Sequence, residues 1–121
     1  MGEELPIEAR HERGYPVVTV AGEIDIATAD RLRERLSELA AGGRPLVADL
    51  DRVSFIDAAG LGALAGAARH ATAHGTSLRV VCGRRQIRRL FGLTQLDQAV
   101  PLAASLAEIQ EETAGTGAEA V

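Results

Sequence analysis

Apolar and polar positions along the chain change period several times, and each change marks an element. Leu5, Ile7 and Ala9 alternate with Pro6, Glu8 and Arg10, a period of two that predicts a half-buried strand. "RGYP" reads as a turn and "VVTVAG" as a second strand, so the two form an antiparallel hairpin. From Ala29 the apolar residues fall at Leu32, Leu36, Leu39 and Ala40, with Arg31, Arg33, Glu34, Arg35 and Glu38 between them. That is the stripe of an amphipathic helix. "AGGRP" stops it, Gly42 or Gly43 supplying the left-handed residue and Pro45 preventing continuation.

"LVADL" has no alternation and fits a central strand covered on both faces. Beyond "DRVSFID", read as an intervening turn segment, an Ala- and Gly-rich helix runs to His74 with Leu61, Leu64, Ala65 and Ala68 on one face, and Gly75 ends it. "SLRVVC" predicts a buried strand. "RQIRRLFG" predicts a short helix with Ile87, Leu90 and Phe91 inward and Gly92 as terminator. "QAVPL" reads as a last edge strand, because Pro101 cannot donate to a central ladder. Leu106 and Ile109 mark a final helix. The expected fold is one α/β domain over residues 1–110: a mixed, mostly parallel sheet of four to five strands with an antiparallel N-terminal strand, packed with about four helices. Residues 111–121, polar and small, are expected to be a disordered tail.

Composition narrows the chemistry. Hydrophobic residues make up 46% but aromatic ones only 2%, so the core must be aliphatic. Net charge is −4 and every basic residue is Arg; the absence of lysine excludes P-loop and Schiff-base mechanisms. An acidic chain nearly free of aromatics also lacks what a nucleic-acid binder needs. Cys82, the single cysteine, sits in a buried-strand pattern and reads as a structural thiol. "MGEELPIEAR" does not resemble a secretory signal, and the longest uncharged run is far shorter than the ~20 apolar residues of a membrane span, so a soluble, cytoplasmic protein is expected.

Several motifs invite a sharper reading. "GLGALA", Gly60 to Ala65, fits the dinucleotide pattern, and Arg84 and Arg85 would suit a 2′-phosphate, but Asp51 to Asp57 separate the first glycine from its strand and no ribose-binding acid follows. "VADLD" is similar to the phospho-acceptor strand of response-regulator receivers, whose required lysine is missing here; Asp49 and Asp51 read as strand-end and turn residues. His70 and His74 share a helical face but have no third metal ligand beside them. Arg84, Arg85, Arg88 and Arg89 form a cluster that reads first as solvated, second as a patch for an acidic protein partner. Ser37, Ser54, Ser77 and Ser105 fall on a helix face, a strand-end turn and loop or cap positions, none beside a histidine. The expectation is a non-enzyme with no cofactor and no metal.

Two segments together are more specific. "VVTVAGEIDIATADRLRERL" followed by "LVADLDRVSFIDAAGLGAL" strongly resembles the STAS family, in particular the stand-alone anti-sigma factor antagonists of bacteria. The resemblance implies a monomer that binds an anti-sigma factor of the serine-kinase type and so frees a sigma factor for transcription. It implies a docking surface at Asp57, Ala58, Ala59, Gly60, Leu61 and Gly62, with Asp25 in the neighbouring "GEID" loop. In the family the kinase phosphorylates a serine or threonine directly after the motif aspartate, and a phosphatase reverses this. That position is Ala58, which has no hydroxyl, so this chain is expected not to be switchable there. The alternative is a STAS scaffold or accessory domain of a transport or stress-signalling assembly.

Overall fold

The computed structural model describes residues 5–12 and 15–109. A five-stranded sheet runs in chain order: β1 (Ile7–Glu12), β2 (Tyr15–Ile24), β3 (Leu46–Ile56), β4 (Leu78–Val81) and β5 (Leu102–Ala103). β1 and β2 are antiparallel, and every later pairing is parallel. The helices α1 (Ala29–Ala40), α2 (Ala58–Ala73), α3 (Arg85–Leu93) and α4 (Leu96–Ala99) make the crossovers. Residues 106–109 form a further helical turn. The expected tail at 111–121 lies outside the described residues.

The sheet separates two aliphatic clusters. Ala48, Leu50 and Val80 meet Leu32 and Leu36 of α1, Leu64 of α2 and Phe91 of α3. On the other face Val17, Val47, Val81 and Ala103 meet Ile109. Burial of "LVADL" on both faces follows from this, since neighbouring residues of a strand point to opposite sides. Each fully buried Leu or Phe contributes about 1.5–3 kcal/mol relative to exposure.

Four expectations are corrected. β3 runs without a break to Ile56, so "DRVSFI" is strand, and Asp49, Asp51 and Ser54 are strand residues. The segment pairs with β2 through Ile24 and Ile56, across two register shifts that absorb its extra length. Polar residues there masked the strand because β4 pairs only with Leu46–Asp49, and the rest of β3 projects past it. Gly92 does not terminate α3; the helix reaches Leu93 and stops at Thr94, followed by Gln95 in a left-handed conformation (φ 60°). "QAVPL" is not one strand, because Leu96–Ala99 forms α4 and pairing begins at Leu102. The hairpin turn is narrower than "RGYP", Tyr15 and Pro16 already pairing with Glu12 and His11.

Candidate functional site

Because β2 and β3 end side by side, the loop after one and the helix after the other share the same rim of the sheet. The Asp57 amide donates to the Ile24 carbonyl at 3.2 Å, fastening the β3 exit to the end of β2. Asp57 then caps α2: its Oδ1 accepts from the Gly60 amide at 3.0 Å, and its own backbone is extended. An acid in this position satisfies an orphan helix amide and opposes the positive end of the helix dipole.

Gly60 is required by contact. A Cβ there would lie 2.6 Å from Ile56 Cγ1, 2.7 Å from Ile24 Cγ2 and 2.9 Å from the Ile24 carbonyl oxygen. Its absence lets the first turn of α2 press against both strand ends. Leu61 follows it into the core, while Ala58 and Gly62 face outward and Ala59 is half-buried. Of the residues read as a docking surface, Gly60 and Leu61 therefore shape the helix start, and Ala58, Ala59 and Gly62 present it.

The "GEID" loop is braced from within. Asp25 Oδ1 accepts from the Ala27 amide at 3.0 Å, and the Asp25 amide donates to Thr28 Oγ1 at 3.0 Å. The Thr28 hydroxyl donates to the Glu23 carbonyl at 3.1 Å, and the residue is only 4% exposed. Thr28 was not singled out in the sequence, where a threonine before a helix reads as an ordinary cap; here its side chain makes no cap bond and ties the loop instead.

The bracing holds Ile26 outward at 83% exposure, and Phe55, two residues before the cap, is 48% exposed. Both are further features of this rim that sequence reading missed. The available signal was that Ile26 belongs to neither the period of β2 nor that of α1. Ile26, Ala29, Ala59, Gly62 and Ala63 line a shallow groove between α1 and α2, with Arg33 and Arg69 also on its walls. Arg33 lies across Gly66, where a Cβ would meet its Cδ at 3.2 Å. The groove mixes Ile26 and small residues with the charged Asp30, Arg33 and Arg69, and Ala58 beside it offers no nucleophile, so the surface can bind a partner but cannot accept a phosphoryl group at that position.

The other candidates lie elsewhere. β3 runs to Ile56 and Gly60 and Gly62 are inside α2, so no turn segment separates strand from glycines, and the first glycine is a helix residue rather than the phosphate-cradling turn. Asp51 Oδ1 accepts from the Gly83 amide at 2.6 Å and holds the end of β4. The Cys82 thiol is buried at the end of that strand, and desolvation raises its pKa above the ordinary thiol range. His74 Nδ1 donates to the His70 carbonyl at 2.9 Å, and the two rings lie 4.2 Å apart, tilted by 33°. Among the described residues no three His, Cys, Asp or Glu side chains come together as a metal site, and no helix is long and apolar enough to cross a membrane.

With this geometry in view, comparison with known proteins is decisive for the family. Residues 6–109 match the STAS domain. The chain belongs to the STAS domain family. An anti-sigma-B factor antagonist of Bacillus subtilis (strain 168) is 37% identical over 100 residues, covering 83% of this chain and 92% of that protein. An anti-sigma F factor antagonist of Paenibacillus polymyxa is 28% identical, with 81% and 86% covered. The crystal structure of an anti-sigma factor antagonist from Mycobacterium paratuberculosis superimposes with a TM-score of 0.79 at 28% identity, covering 93% of this chain and 97% of that one. The STAS domain thus fills nearly the whole described chain, and the rim around Asp57 belongs to it.

Proposed function

We propose that this STAS domain is an anti-sigma factor antagonist: a non-enzymatic, cytoplasmic, monomeric binding protein that captures a kinase-type anti-sigma factor and so frees a sigma factor. The observation that carries the reading is the start of α2, where the exposed Ala58 stands between the Asp57 cap and Ala59, which shares a groove with Gly62 and Ile26. The names of its relatives support it. Asp25 and Asp57 brace the surface, and Ala58, Ala59 and Gly62 meet the partner.

In the family the off-switch is a phosphate after the motif aspartate. Such a group brings about −1.5 to −2 charge at neutral pH. The helix amides tolerate that charge, but Asp57 and a desolvated interface do not, so it ejects the partner. Ala58 has no atom to carry it, and this domain stays competent to bind at this position; a phosphatase has nothing to remove there.

The test is calorimetric titration with the kinase-type anti-sigma factor of the source cell. Ala58→Glu is expected to weaken binding at least about tenfold, or ~1.4 kcal/mol. Unchanged affinity would move the interface to another surface. Ala58→Ser, incubated with the same kinase and ATP, is expected to take up phosphate. Affinity capture that returns only membrane transporter subunits would overturn the reading in favour of an accessory domain.

A further inference from the structure

The helix that follows β4 is built against its own electrostatics. α1 has Asp30 in its first turn, α4 has Asp97, and α2 is capped by Asp57. α3 has no acid in its first turn and no side-chain cap; Arg84 occupies the cap position and Arg85 the first helical one. Cations here oppose the helix dipole, which favours anions at this end. Arg88 and Arg89 follow one turn later; Asp51 of β3 is bonded to the Gly83 amide just before the cap and forms no ion pair with any of them. Among the described residues, none of these four arginines forms an ion pair, while Arg10, Arg33 and Arg35 each do.

The four side chains are not equivalent. Arg88 is half-buried, and its Nη1 donates to the Cys82 carbonyl at 2.9 Å, so it is committed to the end of β4. Arg84, Arg85 and Arg89 are exposed. Leu93 continues the line: Arg85, Arg89 and Leu93 are spaced by four along one helical face, and Leu93 is 68% exposed. The opposite face, Ile87 and Phe91, is in the core. The outer face is thus a stripe about 12 Å long, cationic at one end and aliphatic at the other.

We propose that this face of α3 is a second protein-docking surface, separate from the rim at Asp57, which takes an acidic partner segment carrying an aliphatic residue beyond its carboxylates. Charge complementarity identifies the occupant. Guanidinium forks pair with carboxylates in two-point contacts, and this chain places only arginines here. The chain as a whole is acidic at −4, so a long polyanion meets repulsion outside the patch, whereas a short acidic segment does not. Nucleic acid would also look for a stacking surface, but the aromatic residue of this helix, Phe91, is fully buried. Leu93 gives the stripe a direction, because it rewards an apolar contact at its far end. The arginines, none of them ion-paired among the described residues, then have a reason: a partner's carboxylates are their counter-charges.

The experiment is fluorescence anisotropy with the full chain and labelled peptides of about twelve residues, enough to span the stripe. One repeats Glu-Leu-Glu-Glu, a second is all Glu, and a third replaces Glu by Lys. The Glu/Leu peptide is expected to bind best, the Lys peptide not at all, and binding should fall at least about tenfold when salt rises from about 50 to about 300 mM. Arg85→Glu with Arg89→Glu should lower affinity at least about tenfold, and Leu93→Ser should remove the advantage of Glu/Leu over all-Glu. Arg44→Glu, at an exposed arginine outside both surfaces, should leave peptide binding unchanged, which separates this patch from the overall charge of the chain. The proposal is overturned if the double variant binds as well as the parent with unchanged circular dichroism. It is equally overturned if a labelled single-stranded oligonucleotide binds more tightly than the Glu/Leu peptide, or if inorganic phosphate at matched ionic strength displaces it.

Discussion

The starts of α2 and α3 follow neighbouring parallel strands at the same end of the sheet, yet they are built by opposite rules. At α2 an aspartate caps the helix, a glycine admits the strand ends, and the outward positions are small and neutral. At α3 an arginine holds the cap position, no acid stands in the helix's own first turn, and the outward positions are cationic. The first is a helix start optimised for close packing, with small side chains on its own outward face. The second sacrifices local stability for charge. Helix starts on one sheet edge thus need not share a role: tertiary packing secures both, which leaves one free to be smooth and the other to be charged.

Substitutions that break this contrast differ in size. The largest effect is expected at Gly60. Gly60→Val forces a branched side chain into the Ile24 and Ile56 contacts, and should cost about 3 kcal/mol or more, read from the midpoint of urea unfolding. A cost below about 1 kcal/mol would mean that the helix start is not pressed against the strands. Next is the cap. Asp57→Ala should destabilise by about 1 kcal/mol, while Arg84→Ala at the other cap position should be nearly silent, because no side-chain cap bond is lost.

Cys82 tests the strand end between the two helix starts. Its thiol is held neutral by burial, with a folded pKa above that of the unfolded chain. The associated stability is complete below the unfolded thiol pKa and is lost as pH rises toward the folded one, since the unfolded chain then releases the proton first. Unfolding free energy should therefore decline through the alkaline range. The chain has no lysine to titrate there, so Cys82→Ala should flatten that decline. An unaltered slope would assign it to another group.

The smallest effect sharpens the comparison most. Arg85→Glu puts an anion where α3 has none and should stabilise the protein by about 0.3–1 kcal/mol, measured by thermal unfolding. The same variant is expected to bind acidic peptides less well. A protein that becomes more stable as it loses affinity would show that the arginines serve binding and not the fold.

Much of this was legible in the sequence because local periodicity is a local consequence of which face is buried. The stripe of α1 from Leu32 to Ala40 and the unalternating "LVADL" read correctly, as did the position of Asp57 before a helix. The end of β3 did not, because its pairing depends on β2 alone and leaves polar residues on a segment with no strand on its β4 side. α4 is four residues long, too short for any period to announce it. At the rim, Asp25, Asp57 and Ala58 could be named from their motif, while Thr28 resembled an ordinary cap and Ile26 an ordinary loop residue.

By itself, then, the sequence determined an aliphatic α/β domain of the STAS type, the absence of lysine chemistry, and a helix start with no hydroxyl at Ala58. Those are properties of residue identity and spacing, and need no knowledge of what touches what. Only the tertiary structure decided that Gly60 is demanded by two isoleucines, that Thr28 holds Ile26 in solvent, and that four clustered arginines divide into one tied to Cys82 and three facing outward. Only the Gly60–Ile24 contact joins segments far apart in the chain; the Thr28 and Arg88 bonds span five and six residues, but they depend on how the ends of β2 and β4 turn, which no period of apolar residues encodes.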